Sequence, residues 1–156
     1  MGLTLQFAVG PKDVILDAIR DEDFHYLESL EEAGDFADFS LHLEPRDLDY
    51  LVRVASSTSG GEVKSLREHL LFDESAVDEQ DRGGVLVSNE IVLLFSHLNP
   101  KDGESIAKAW YKQLSLAYPE ETIEYDDDAG RATTQLIGVC KKAKAGYGAL
   151  VHIWFL

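Results

Sequence analysis

The chain has 156 residues, 29 of them acidic and 14 basic, which gives a formal net charge of −15 at neutral pH. That length suits a single domain over residues 1–156, and a hydrophobic content of 45% excludes an overall disordered chain. The negative charge argues against binding to nucleic acid, because a polyanion does not release counterions from another polyanion. No apolar run approaches the roughly 20 residues that cross a bilayer, so we predict no membrane span.

The first third of the chain alternates between strand and helix patterns. Apolar and polar residues alternate over 2–9 and predict a half-buried strand, after which Gly10 and Pro11 open a helix with an apolar stripe over 14–19. Apolar residues at helical spacing over 24–30 predict a second short helix or a bent continuation.

The middle of the chain begins with a second alternating segment, which predicts a strand over 36–43. The next four residues, 44–47, repeat the helix-start chemistry of residues 10–13, and an apolar helical stripe follows over 48–55. The Ser/Gly-rich run 56–61 is typical of a flexible linker. A short amphipathic helix is predicted over 63–70.

Residues 73–84 are acidic and predict a loop, followed by a brief extended segment at 85–87. Residues 91–98 fit both strand and helix templates. We favour a helix because the i, i+3, i+4, i+7 spacing is complete and Ser88 can cap its N-terminus. Asp102 is a candidate cap for the next helix, which Pro119 ends.

The last part of the chain predicts a short strand over 122–125 and an acidic loop over 126–130. A helix with the apolar stripe 136–143 follows and ends at Gly146. Residues 149–156 are apolar on both faces apart from one histidine, which is typical of a strand inside a sheet. We therefore predict one α+β domain, in which a mixed sheet containing residues 2–9, 36–43 and 148–156 is covered by five or six helices.

Three segments resemble the YfbM-like family of small bacterial domains of unknown function. They are the start of the chain running into Phe7-Ala8-Val9, the stretch Val87-Ser88-Asn89-Glu90-Ile91 leading to Leu98, and the closing run from Leu136 through Gly146 to Phe155. Together they cover about a third of the chain. The resemblance implies a compact α+β domain and carries no established activity or catalytic residue.

The cysteine content bears on compartment and chemistry. Cys140 is the only cysteine, which excludes an intramolecular disulfide and a zinc site built on paired cysteines. The first residues lack the basic start and long apolar stretch of a secretory signal, so a cytoplasmic location is expected. Cys140 lies on an apolar helical stripe, which favours a buried thiol over a nucleophile.

Motifs for catalysis or metal binding are not found. The five histidines have no spacing of three or four residues between any two, and the run 126–128 lacks the alternating ligands of a calcium loop. We therefore predict no catalytic residue, no metal ligand and no cofactor. His152 is interpreted as a core histidine with satisfied ring nitrogens.

The distribution of charge along the chain is the remaining feature of the sequence that bears on function. Residues 17–49 contain twelve acidic side chains against two arginines, and residues 68–90 contain seven against one. One interpretation is a generic acidic surface. The other is an electrostatic docking face for a basic protein partner, as immunity and inhibitor proteins use.

We predict a non-catalytic, protein-binding domain whose acidic docking residues are Asp21, Glu22, Asp23, Glu28, Glu31 and Glu32. The alternative is a small enzyme with a pocket at the sheet edge that uses His42 or His152. A flat acidic face would favour the first hypothesis. A deep apolar pocket holding a histidine of shifted pKa would favour the second.

Overall fold

The structure, a computed structural model, describes residues 3–156. Met1 and Gly2, with which the predicted domain and first strand begin, lie outside the described residues. Within the described range the chain forms one six-stranded sheet and six α-helices, which confirms the α+β class.

The strands are β1 (Thr4–Gly10), β2 (Phe36–Asp38), β3 (Leu70–Leu71), β4 (Val77–Asp78), β5 (Arg82–Val87) and β6 (Ala149–Phe155). The helices are α1 (Lys12–Arg20), α2 (Phe24–Glu32), α3 (Asp47–Ser59), α4 (Asn89–Ser96), α5 (Gly103–Ala117) and α6 (Asp127–Lys144), with 3₁₀ turns at Arg67–His69 and Pro100–Asp102.

The sheet is antiparallel throughout, so the prediction of a mixed sheet is wrong. Its order is β2-β1-β6-β5-β3, and β4 also pairs with β5. The last strand lies at the centre, as its two apolar faces predicted. It runs antiparallel to β1 because α6 returns the chain to the end of the sheet where β1 finishes, so that Ala149 pairs with Gly10.

The two faces of the sheet are covered by different helices, and this explains why β6 is apolar on both sides. On one face α1 and α2 pack against Val151 and Ile153. On the other, a larger core formed with α3 to α6 contains Phe7, Leu150 and Trp110. The predicted stripe of α3 is confirmed, because Leu48, Leu51, Val52 and Ala55 are all buried. The stripe of α1 is only partly confirmed, since Val14 is exposed while Ile15 and Ile19 are buried.

Two polar segments predicted to be irregular are helical. Residues 56–59 continue α3, where the hydroxyls of Thr58 and Ser59 donate hydrogen bonds to carbonyls four residues earlier. The helix ends at Gly60, whose φ of 73° is left-handed. The acidic run 126–128 begins α6 instead of forming a loop, because the Asp126 side chain accepts hydrogen bonds from the amides of Asp128 and Ala129.

Other predicted elements are shorter than expected or missing. The second strand ends at Asp38 instead of residue 43. Residues 63–70 form only a 3₁₀ turn, since the Asp49 carboxylate holds the backbone amides of Leu66 and Arg67. Residues 122–125 pair with no strand, and the predicted loop 73–84 contains β4 and the start of β5.

Candidate functional site

The six predicted docking residues are all exposed and lie on α2 or the turn before it. α2 begins after Asp23, whose carboxylate accepts a hydrogen bond from the Tyr26 amide at 3.0 Å. Glu22 has a left-handed φ of 55°, which lets the chain reverse direction between α1 and α2. The six carboxylates thus occupy α2 and the turn before it, and we call the exposed surface of these residues the α2 face.

The carboxylates of the α2 face differ in the contacts that they make within the chain. Asp23 caps its helix, and Glu22 forms an ion pair with Arg82 at 3.1 Å. Among residues 3–156, no lysine or arginine nitrogen lies within 4.0 Å of the carboxylates of Glu28, Glu31 or Glu32. These last three are the carboxylates of α2 that remain available to a partner.

A groove lies between α2 and the sheet, and the sequence analysis missed it. Its volume is about 270 Å³. The α2 wall consists of Phe24, Leu27, Glu28 and Glu31, and the sheet side consists of Thr4, Gln6, Phe36 and Phe155. Phe24 belongs to the apolar residues at helical spacing over 24–30, yet 48% of its surface is exposed. The available signal was the i, i+4, i+7 spacing of Phe24, Glu28 and Glu31, which puts an aromatic ring and two carboxylates on one side of the helix.

Aromatic rings make up much of the apolar surface of the groove. The ring centroids of Phe24 and Phe155 lie 5.3 Å apart with a tilt of 51°. Exposed aromatic surface beside carboxylates is typical of recognition sites, where an apolar centre is surrounded by charge.

His42 lies at a different place in the fold. It is exposed, has a left-handed φ of 60°, and lines a cavity of about 280 Å³ together with Asp47, Tyr111 and Tyr118. The buried Asp47 carboxylate accepts hydrogen bonds from the Tyr118 hydroxyl at 2.9 Å and the Glu44 amide at 2.8 Å. These bonds join the segment before α3 to the end of α5.

The hydroxyl groups of both tyrosines in this cavity stay protonated near neutral pH. Burial raises the pKa of Tyr111 to about 12, with nearby Asp126 adding to the effect. Burial, followed by the hydrogen bond to Asp47, raises the pKa of Tyr118 to about 12. Neither hydroxyl ionises near neutral pH, so neither can act as a general base there.

His152 is a core histidine, as interpreted from the sequence. It is 3% exposed, its ring stacks on Phe7 at 4.6 Å, and its Nδ1 lies 3.0 Å from the Gln6 carbonyl oxygen. Because a carbonyl only accepts hydrogen bonds, Nδ1 carries the proton. Burial lowers the pKa of His152 to about 4, so the ring is neutral. The structure does not bring His42 and His152 into one cavity.

A third cavity, of about 740 Å³, lies between the end of α3 and α4. Its titratable residues are Glu90, His97 and Asp102, and all three are exposed. Within residues 3–156 no three histidine, cysteine or acidic side chains are grouped so as to hold a metal ion.

Comparison with family models, with curated proteins and with solved structures finds no match for this chain. Across the described residues, no helix has the length and apolar character needed to cross a membrane.

Proposed function

We propose that this protein is a non-catalytic binding domain that docks a basic protein partner through the α2 face, in the manner of an immunity or inhibitor protein. One observation carries the proposal: exposed carboxylates are concentrated on a single helix and its preceding turn, beside a groove that exposes Phe24. Complementary charge steers the encounter of two proteins, and a desolvated apolar centre slows their dissociation.

The position of the carboxylates along α2 supports the same function. Glu31 and Glu32 lie in the last turn of the helix, which has no basic residue. Acidic side chains are unfavourable there because the C-terminal end of a helix carries partial negative charge. A basic side chain of a partner placed at this end of α2 would neutralise these charges and relieve the unfavourable interaction.

The enzyme alternative has less support. It requires a histidine with a shifted pKa in a pocket that a substrate can enter. The pKa of His152 is shifted, but its neutral ring is buried in the core and only 3% exposed. His42 lines a cavity whose buried carboxylate is already bound to Tyr118 and Glu44.

The triple reversal Glu28→Lys, Glu31→Lys, Glu32→Lys tests the proposal. The tagged wild-type protein is used to capture a basic partner from its native lysate, and the partner's association rate is measured as salt rises. We expect the rate to fall steeply with salt, because steering is screened over ~8–10 Å at physiological ionic strength, and to fall about tenfold or more in the variant.

The matched control is Glu62→Lys, Glu120→Lys, Glu124→Lys, which changes three exposed carboxylates outside the α2 face and alters the net charge equally. The control should associate much more rapidly than the α2 variant. Equal rates for the two variants, or a capture that ignores salt, would contradict docking through the α2 face and leave a generic acidic surface.

Three further parts of the proposal remain predictions. A cytoplasmic location is supported by the single, buried Cys140, which suits a reducing compartment. The absence of nucleic acid among the partners is supported by the net charge of −15. Membership of the YfbM-like family is supported by the three segments described above.

A further inference from the structure

We infer that the groove between α2 and the sheet binds one arginine side chain of the basic partner. The inference rests on the proposed function and names the group that the α2 face recognises. It is carried by the size of the groove, its aromatic surface and its two carboxylates.

The size of the groove favours a single side chain. Its volume of about 270 Å³ is below the roughly 300–1,000 Å³ that is typical of small-molecule sites. Docked proteins commonly insert one anchor side chain into such a depression, and arginine is among the residues most enriched at these positions.

The chemistry of the walls favours arginine. Phe24 and Phe155 offer aromatic surface on which an aliphatic stem or a flat guanidinium group can stack. Glu28 and Glu31, three residues apart on α2, present two carboxylates on the same side of the helix. A guanidinium group has five donors in a planar arrangement and can bind both carboxylates while it stacks on a ring.

The charge balance of the groove favours a cationic occupant. No basic nitrogen among residues 3–156 lies within 4.0 Å of either carboxylate, and the nearby Arg82 is already bound to Glu22, Glu79 and Asp81. Two like charges at the mouth of an apolar groove repel each other. An arginine would relieve that repulsion and shield the aromatic surface from water.

The test is an NMR titration of the ¹⁵N-labelled 156-residue chain with the peptide acetyl-Ala-Arg-Ala-amide. Parallel titrations use the same peptide with lysine or with citrulline, which is the neutral analogue of arginine. We expect shift changes centred on Phe24, Glu28, Glu31 and Phe155, and binding of the citrulline peptide weaker by about tenfold.

Two double variants with equal charge decide where the peptide binds. Glu28→Gln with Glu31→Gln removes the carboxylates of the groove, whereas Asp21→Asn with Glu32→Gln removes two carboxylates of the α2 face that do not line it. The groove variant should lose about tenfold in affinity and the control less than about twofold. All four side chains are exposed, so both variants should keep the wild-type fold.

Equal losses in the two variants, equal binding of the citrulline peptide, or shift changes spread over the whole acidic surface would overturn the arginine site. Equal binding of the lysine peptide would overturn arginine as the occupant. A failure of the arginine site can be distinguished from a failure of the proposed function. If the triple reversal abolishes partner capture while the arginine peptide does not bind the groove, docking through the α2 face stands without this anchor.

Discussion

At the scale of single residues, His152 and Cys140 show what burial does to groups that could otherwise react. Both are enclosed in the larger core, His152 on the central strand and Cys140 on α6. Burial raises the pKa of the Cys140 thiol, so the nucleophilic thiolate is disfavoured. Burial also keeps the His152 ring neutral, and this makes the stability of the fold depend on pH.

The pH dependence follows from the lowered pKa of His152. Between the unfolded value of 6.5 and the folded value of about 4, the unfolded chain binds a proton that the folded protein does not. Stability is therefore full above pH 6.5 and falls as the pH drops towards 4, by about 3 kcal/mol in total from this group. Chemical denaturation of wild type and His152→Gln across pH 4–7 measures the effect.

We expect the variant to be less stable at pH 7 but to lose less stability on acidification than the wild type. His25→Gln, which removes an exposed imidazole, is the control and should follow the wild-type slope. If the free energy of unfolding depends on pH in the same way in the His152 and His25 variants, then protonation of His152 does not contribute to acid unfolding.

At the scale of elements, Asp49 decides the conformation of the segment that follows α3. Its carboxylate is 3% exposed and accepts hydrogen bonds from the Leu66 amide at 2.8 Å, the Ser65 hydroxyl at 3.1 Å and the Arg67 side chain at 2.8 Å. Residues 63–70 have the apolar spacing of a helix, but a helix would not direct these donors at one carboxylate. A single distant side chain thus overrides the local pattern.

We expect Asp49→Ala to lower the free energy of unfolding by about 2–3 kcal/mol, because it leaves buried donors without an acceptor. Arg67→Gln should cost less than about 1 kcal/mol, since the arginine side chain is 62% exposed and its ion pair is partly screened. Urea denaturation of both variants tests the difference. Equal losses would mean that the ion pair, and not the backbone hydrogen bonds, is what holds the segment.

At the scale of the whole molecule, the net charge of −15 opposes folding, because the compact state brings like charges together. We expect the thermal midpoint of unfolding to rise when NaCl is increased from about 10 to about 500 mM, by roughly 2–4 °C for each kcal/mol of repulsion relieved. Glu62→Lys, Glu120→Lys, Glu124→Lys carries less net charge and should show a smaller rise. A midpoint that is insensitive to salt would mean that attractive ion pairs balance the repulsion.

Periodicity and composition along the chain predicted the α+β class, most of the apolar helical stripes, the central position of the last strand and the acidity of the α2 face. These features depend on local periodicity and composition, which can be read from the sequence without knowledge of tertiary contacts. The six acidic residues that we propose for docking could be grouped from the sequence because they are close along the chain, on one helix and its preceding turn.

The strand directions, the C-terminal end of β2 and the conformation of residues 63–70 could not be predicted from the sequence, since each depends on partners far away along the chain. The groove also depends on a contact between distant parts of the chain. Phe155 contacts Phe24, more than a hundred residues away in sequence, and no local pattern predicts that contact. Helical spacing predicted α2 itself, but it did not show that the Phe24 ring stays half exposed beside Glu28 and Glu31.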